Sequence, residues 1–215
     1  MKTIKRILAL SLAALLVMGL FAGCESEADK IAVLAGTWTM VGQDSEEEAK
    51  ELLENIDLYE EEIAMADLTT LTYKPNVVFT AEKTYHFVYD VEGTIACVRE
   101  FFVETFAALY EGRATLNEVY GQEFDQMTEA EFQQFYADLY SAENFETLMD
   151  QMAEGAYNYE KMAEPWETGT YSIKGDDIMC TITGETQAEA LGYSIENDEL
   201  TLTYSDAVEV YTRAN

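Results

Sequence analysis

Histidine is the side chain that most often does acid–base chemistry near neutral pH, and this chain has one, His86. A Ser–His–Asp or Cys–His arrangement would have to use it, and no His-rich metal spacing exists. The sequence has no Gly-rich phosphate loop, Gly-x-Ser-x-Gly turn, Cys-x-x-Cys pair or EF-hand loop. We therefore expect no enzyme, with no catalytic residue, metal or cofactor, and a half-buried strand position for His86.

Carboxylates are abundant, with 42 Asp and Glu against 12 Lys and Arg and a formal net charge of −30. A pair of carboxylates could hydrolyse glycosides, but so many acids form pairs everywhere and single out no site. The negative charge argues against nucleic acid as a partner, because that binding needs clustered cations. It indicates a solvated surface that keeps the protein soluble. Attraction of a cationic ligand or a metal is the open alternative.

The N-terminal residues have the pattern of an export signal. Lys2, Lys5 and Arg6 precede an apolar run over residues 7–21, which is too short to cross a bilayer comfortably and is typical of a signal peptide. The run ends in Leu20-Phe21-Ala22-Gly23-Cys24, which resembles the lipobox of bacterial lipoproteins. An ordinary signal peptide followed by an unrelated cysteine is the alternative.

The lipoprotein resemblance implies a signal peptide over residues 1–23 and an acyl chain such as palmitate on Cys24. It places the protein on the extracytoplasmic face of the cell envelope, anchored to the membrane by its lipid. Loss of the signal peptide would change the formal charge to −33, which an anionic membrane surface repels. We therefore expect residues 24–35 to be a tether. The other cysteines, Cys97 and Cys180, are predicted to be buried free thiols, with a disulfide between them as the alternative.

Alternating runs predict the elements that would position a binding site. Tyr171-Ser172-Ile173 recurs as Tyr193-Ser194-Ile195, an internal repeat offset by 22 residues. Each copy consists of an alternating run, a polar turn and a second alternating run, which is the pattern of an antiparallel hairpin. Earlier in the chain, alternation predicts strands over residues 68–73, 76–80 and 83–91.

The predicted first strand opens with Gly36-Thr37-Trp38, which resembles the Gly-x-Trp signature of lipocalins and lipocalin-like proteins. Arg213 on the last strand matches the late arginine that those proteins pack across the tryptophan. The resemblance covers about 36–91 and 166–213, and it implies an antiparallel barrel of about 8–9 strands closed by Gly36, Trp38 and Arg213. Because Arg213 shares its strand face with Glu209 and not with Val210, we expect it to bend round the barrel end.

Between these strands the apolar period changes to that of helices, with aromatic stripes and capping boxes such as Thr128-x-x-Glu131. The predicted class is α+β: a lipocalin-like barrel over 36–93 and 164–215, with a helical insertion over 94–163. A further helix, beginning at the capping box Ser45-x-x-Glu48, is expected to close one barrel end.

Three aromatic residues, Tyr157, Tyr159 and Trp166, lie at the return from the helices to the sheet. They could stack on a ligand at the barrel mouth, or they could seal the joint between helices and barrel. The resemblance implies binding of a small apolar or amphipathic ligand. The alternative is a filled barrel whose helices contact another envelope protein, with no partner identified. A cavity of several hundred Å³ would favour the ligand.

Overall fold

The structure, a computed structural model, describes residues 26–121, 123–205 and 207–214. The predicted signal peptide and Cys24 lie outside them. The strands are β1 Gly36–Thr39, β2 Gly42–Gln43, β3 Thr72–Tyr73, β4 Pro75–Phe79, β5 Thr84–Tyr89, β6 Glu167–Lys174, β7 Asp177–Ile182, β8 Glu189–Glu196, β9 Glu199–Thr203 and β10 Val208–Arg213. The helices are α1 Glu27–Leu34, α2 Glu46–Asn55, α3 Glu60–Ile63, α4 Val91–Glu111, α5 Asn117–Tyr120, α6 Glu129–Leu139, α7 Phe145–Gly155 and α8 Tyr159–Met162.

Eight of the strands form a closed antiparallel barrel in the order β1-β4-β5-β6-β7-β8-β9-β10, with β10 returning to β1. Each barrel strand pairs with its neighbours along the chain, so the barrel is an up-and-down meander. The β8–β9 turn has the hairpin conformation in which both central residues take positive φ, 53° at Asn197 and 63° at Asp198. The predicted α+β class with an antiparallel barrel is confirmed, and the strand number is eight.

Helix α1 closes one end of the barrel, which we call the closed end. Ser26 and Asp29 form a capping box at its start, and Ile31 and Leu34 are buried in the barrel core. The ammonium of Lys30 donates to the Gly175 carbonyl in the β6–β7 turn at 2.7 Å. Within the segment predicted to be a tether, residues 27–34 are therefore helical, and the apolar side of this short helix packs against the barrel core at the closed end.

Arg213 and Trp38 are opposite one another in the β10–β1 register, and the guanidinium lies 4.0 Å from the indole centroid. Arg213 also donates to the Ala35 carbonyl at 3.1 Å, and Trp38 donates to the Leu34 carbonyl at 2.8 Å. A Cβ on Gly36 would lie 2.7 Å from the guanidinium, and the φ of 141° there also favours glycine. The expected bend of Arg213 is not needed, because its face of β10 points into the barrel.

The remaining helices form a helical unit, defined here as α2 to α8, with a core separate from that of the barrel. The helices of the unit come from two segments of the chain, one between β1 and β4 and one between β5 and β6. The apolar residues of α2, Leu52 and Leu53, are buried with Phe102 and Phe106 of α4 and Tyr136 of α6. The expectation that α2 closes a barrel end is therefore wrong, because its apolar face is covered by other helices.

The predicted strand over residues 68–73 is largely replaced by a 3₁₀ turn, Leu68–Thr70, and the short β3. Strand β3 pairs with β2 outside the barrel. The side chain of Leu71 explains the difference, because it is fully buried in the core of the helical unit. Apolar residues in this stretch therefore pack in the core of the helical unit, and only its last two residues pair as a β-strand.

Candidate ligand-binding site

The end of the barrel opposite α1 is open, and it leads into a cavity of about 370 Å³. This volume lies within the range of about 300–1,000 Å³ that is common for small-molecule sites. Below the cavity the barrel is filled by side chains such as Trp38, Phe79 and Tyr171. The cavity is lined by Met40, Tyr73, Pro75, Tyr85, Phe87, Tyr89, Trp166, Glu167, Cys180, Ile182, Glu185, Gln187, Glu189, Leu191, Tyr204, Glu209 and Tyr211.

One side of the cavity, the aromatic side, consists of five rings in contact: Tyr73, Tyr85, Phe87, Tyr89 and Trp166. The Trp166 ring stacks on Phe87 with centroids 5.8 Å apart and lies 4.6 Å from Tyr89. Tyr85 and Tyr73 extend this series edge-on at 5.9 Å and 5.8 Å. Alternation along β5 aims Tyr85, Phe87 and Tyr89 inward together. Trp166 remains half exposed at the rim.

Three of the four glutamates that line the cavity lie on alternate strands, and we call them the glutamate arc: Glu167 of β6, next to the aromatic side, Glu189 of β8 and Glu209 of β10. All three line the cavity. Each is the first inward position of a strand that begins at the open end, and each is followed two residues later by a buried Gly169, Leu191 or Tyr211. Because alternate strands lie about 10 Å apart, the carboxylates are spread along the rim.

Tyrosine hydroxyls hold two of these carboxylates. The Tyr85 hydroxyl donates to Glu167 at 2.8 Å, and the Tyr211 hydroxyl donates to Glu209 at 2.7 Å. Burial and the hydrogen bond to glutamate raise the pKa of both tyrosines well above the usual value. The Tyr85 ring lies over Gly169, where a Cβ would be 2.6 Å from it. Glycine at this position therefore allows Tyr85 to reach Glu167.

The Glu189 side chain has no hydrogen-bond or ion-pair partner among the residues that the structure describes, and it is exposed at the rim. No lysine, arginine or histidine from the described residues lines the cavity. The glutamate arc therefore has no counter-charge from the described side chains of the cavity lining. Both tyrosine hydroxyl protons described above are already donated to glutamates, so they are not available to a ligand acceptor.

The two thiols outside the N-terminal segment are free and lie in separate parts of the fold. Cys180 is buried in the floor of the cavity on β7, and Cys97 is half-buried on α4. Burial raises the pKa of Cys180 to about 12, and the nearby charges of Glu167 and Glu189 act in the same direction. The Cys180 thiol is therefore protonated at neutral pH, which makes it a weak nucleophile.

The predicted ligand-binding aromatics separate into two groups. Trp166 lines the cavity, whereas Tyr157 and Tyr159 contact each other in the helical unit with ring centroids 6.0 Å apart. The Tyr157 hydroxyl donates to Asp44 at 3.2 Å, and the Tyr159 hydroxyl donates to the Ala153 carbonyl at 2.7 Å. Tyr157 and Tyr159 therefore do not line this cavity, because hydrogen bonds hold both rings in the helical unit.

His86 is half-buried on β5, on the face opposite Tyr85 and Phe87, so it points away from the cavity. Within the described ranges, no group of three or more His, Cys, Asp and Glu side chains is placed to hold a metal ion. In the same ranges, none of the helices has the length and apolar content of a membrane-spanning helix. Comparison of the chain with protein-family models, curated proteins and solved structures gave no match.

Sequence reasoning missed the glutamate arc and the tyrosines that hold it. A usable signal was present, because Glu-x-Gly, Glu-x-Leu and Glu-x-Tyr give the first two inward positions of β6, β8 and β10. The signal was hidden by the total of 42 acidic residues, which makes any one glutamate unremarkable until the inward face of its strand is known.

Proposed function

We propose that this protein binds a small amphipathic molecule in the open end of its barrel and does not convert it chemically. The observation that carries the proposal is the cavity of about 370 Å³ above a filled barrel bottom. Apolar walls with a few convergent polar groups are the usual composition of a ligand site. The protonated state of the Cys180 thiol and the outward position of His86 support binding over catalysis.

We also propose that the protein is a lipoprotein anchored through Cys24 on the extracytoplasmic face of the membrane. Support comes from the Ala22-Gly23-Cys24 motif after the apolar run. Helix α1 begins three residues after Cys24 and packs on the closed end. An anchor at Cys24 would therefore hold the closed end towards the membrane and leave the cavity opening to the other side.

Ligand binding is tested with a matched pair of substitutions on β8. Leu191 is buried and lines the cavity, whereas its neighbour Ala190 is exposed on the outer face. Leu191→Trp would fill the cavity, and Ala190→Trp would add the same bulk outside. With the neutral fluorescent probe N-phenyl-1-naphthylamine, we expect wild type and Ala190→Trp to bind and Leu191→Trp to bind at least about tenfold more weakly.

Equal binding by all three proteins would place the probe elsewhere, and binding by none would overturn the proposal. If the probe binds as expected, native mass spectrometry of the unlipidated domain, purified from its own host, would identify a co-purifying molecule. Conversion of any compound in a metabolite mixture, abolished by changing His86 or one carboxylate, would contradict binding without chemistry.

The anchor is tested by Cys24→Ala. We expect this variant to lose fatty-acid labelling and to leave the membrane fraction, because the negatively charged domain has no attraction to an anionic surface. Cys97→Ala serves as the control, since that half-buried thiol lies on α4. Unchanged labelling of Cys24→Ala would refute the lipoprotein proposal without affecting the proposal of a ligand.

A further inference from the structure

We propose that the ligand of the cavity is an organic cation with an apolar body, such as an alkylated or aromatic ammonium compound. This inference rests on the proposed ligand-binding function and adds the chemical class of the ligand. It is carried by the composition of the cavity lining: the glutamate arc adjoins the aromatic side at Glu167 and Trp166, and no described lysine, arginine or histidine lines the cavity.

The glutamate arc supplies the charge that would attract such a ligand. Glu167 and Glu209 each accept a hydrogen bond from a tyrosine, which orients the carboxylate. An ionised carboxylate has about four acceptor positions, so each keeps capacity for a ligand N–H or for contact with a methylated ammonium. Glu189 has no such bond within the described part of the chain. Its carboxylate is available at the rim.

The aromatic side supplies the second half of the recognition. Faces of Trp, Tyr and Phe attract a cation within about 6 Å of the ring centroid and also pack against its apolar carbons. Trp166 is half exposed beside Glu167, its neighbour in the chain, so an ammonium at the rim could contact both. The apolar body would then lie deeper, against Phe87 and Leu191.

The same geometry disfavours anionic ligands such as fatty acids. A ligand carboxylate would enter beside Glu167, Glu189 and Glu209 without an opposite charge from the described lining. It would also find the hydroxyl protons of Tyr85 and Tyr211 already donated to glutamates. Like charges in a partly enclosed site repel strongly, because little water screens them.

The inference is tested with three probes that share an eight-carbon chain: octyltrimethylammonium, 1-octanol and octanoate. By isothermal titration calorimetry at pH 7, we expect the cation to bind about tenfold or more tightly than the alcohol. Octanoate should bind more weakly than the alcohol. Quenching of Trp166 fluorescence should accompany binding of the cation and should disappear in Trp166→Phe.

A triple variant, Glu167→Gln, Glu189→Gln and Glu209→Gln, tests the glutamate arc. Glutamine can still accept the tyrosine hydrogen bonds, so the barrel should stay folded. We expect this variant to lose most of the preference for the cation while octanol affinity changes by less than about threefold. The control replaces three exposed glutamates of α4, Glu100, Glu104 and Glu111, by glutamine, which gives the same change in net charge.

The outcomes separate the two proposals. Octanol or octanoate binding as tightly as the cation would overturn the choice of a cation and leave ligand binding intact. Loss of cation binding in the α4 control as large as in the arc variant would show a general effect of net charge and would also overturn the inference. Binding of none of the three probes would overturn the choice of a cation, and the proposal of ligand binding would be overturned as well only if N-phenyl-1-naphthylamine also failed to bind.

Discussion

Arg213 connects the last strand, the first strand and the C-terminal end of α1 through one guanidinium. It lies over Trp38, donates to the carbonyls of Val33 and Ala35 at 2.6 Å and 3.1 Å, and approaches Asp198 at 3.5 Å. We expect Arg213→Ala to lower the free energy of unfolding by about 2–3 kcal/mol, because stacking and charge-assisted hydrogen bonds are lost together. Urea denaturation measures this loss.

Substitution to lysine and a double-mutant cycle separate the two kinds of contact. Arg213→Lys should retain part of the stability, because an ammonium keeps the charge but cannot stack and donate to two carbonyls with one planar group. Combining Arg213→Ala with Trp38→Leu should give a loss smaller than the sum by about 0.5–2 kcal/mol. Additive losses would show that the ring and the guanidinium do not interact energetically.

Glu62 is the buried carboxylate of the helical unit, and three donors surround it. It accepts hydrogen bonds from the Tyr59 backbone N–H at 2.8 Å, from the Tyr120 hydroxyl at 3.0 Å and from the Tyr136 hydroxyl. We expect Glu62→Ala to cost about 3 kcal/mol or more in unfolding free energy, because buried donors lose their acceptor. The exposed neighbour Glu61 is the matched control, and Glu61→Ala should change stability by less than about 0.5 kcal/mol.

The junction before α2 depends on an aspartate, Asp44, which accepts hydrogen bonds from the Ser45 backbone N–H and from the Tyr157 hydroxyl. Burial, with the neighbouring Glu48, raises the pKa of Asp44 to about 6 from an ordinary value near 3.8. A raised pKa means that the folded state binds more protons than the unfolded state between these values. The stabilising contribution of Asp44 is therefore complete below about pH 4 and is lost as pH rises through 6.

Asp44→Asn should remove that contribution to the pH dependence. Wild-type unfolding free energy, measured by urea denaturation at pH values from 4 to 7, should fall with pH more steeply than that of the variant. The remaining slope in the variant should come from repulsion among the many other acids and should shrink in added salt. Identical slopes for the two proteins would show that Asp44 titrates normally in the folded state.

Local sequence patterns predict many of the strands and helices of this protein. Tertiary contacts explain where the observed elements differ from the predicted ones. The repeat around Tyr171 and Tyr193 predicts two hairpins because alternation and turn residues act over a few positions. Helix α1 was missed although Ser26 and Asp29 have capping-box spacing. Its eight residues are too few for a stable isolated helix, so only burial of Ile31 and Leu34 against the barrel makes it form.

The candidate site was less predictable than the fold because its residues are far apart in sequence. Trp166 was identified from its place at the joint between helices and sheet, yet the same reasoning included Tyr157, which a hydrogen bond to Asp44 holds elsewhere. The glutamate arc requires the inward faces of β6, β8 and β10 to be known together. That information depends on barrel closure and not on any one strand.

At the scale of the whole molecule, the order of strands shows that the barrel strands could be connected without the helical unit. The Met40 N–H donates to the Pro75 carbonyl at 3.0 Å, and the Trp166 N–H donates to the Phe87 carbonyl at 3.1 Å. At both places the two chain ends that enter the helical unit are already hydrogen-bonded neighbours. A short hairpin turn could therefore replace each helical segment.

The two segments are not independent of each other, because Leu52 and Leu53 of α2 are buried against α4. Replacing only residues 89–165 by Asn-Gly should leave these leucines without their packing partners, and we expect a protein that aggregates or binds hydrophobic dyes. Replacing residues 41–74 by a second Asn-Gly turn in the same chain should remove the exposed face. We expect the doubly shortened protein to be monomeric, with a β-rich circular dichroism spectrum and cooperative unfolding.

Light scattering and thermal melts of the two variants compare these expectations directly. An unfolded double variant would show that the barrel depends on the helical unit for its stability. The segments that flank the unit also supply the Tyr73 and Tyr89 rings of the cavity. A well-behaved single variant would show instead that α2 can fold against the barrel alone. We expect the double variant to be more soluble than the single variant. The two segments share one core, and removing only one of them exposes the apolar side chains of the other.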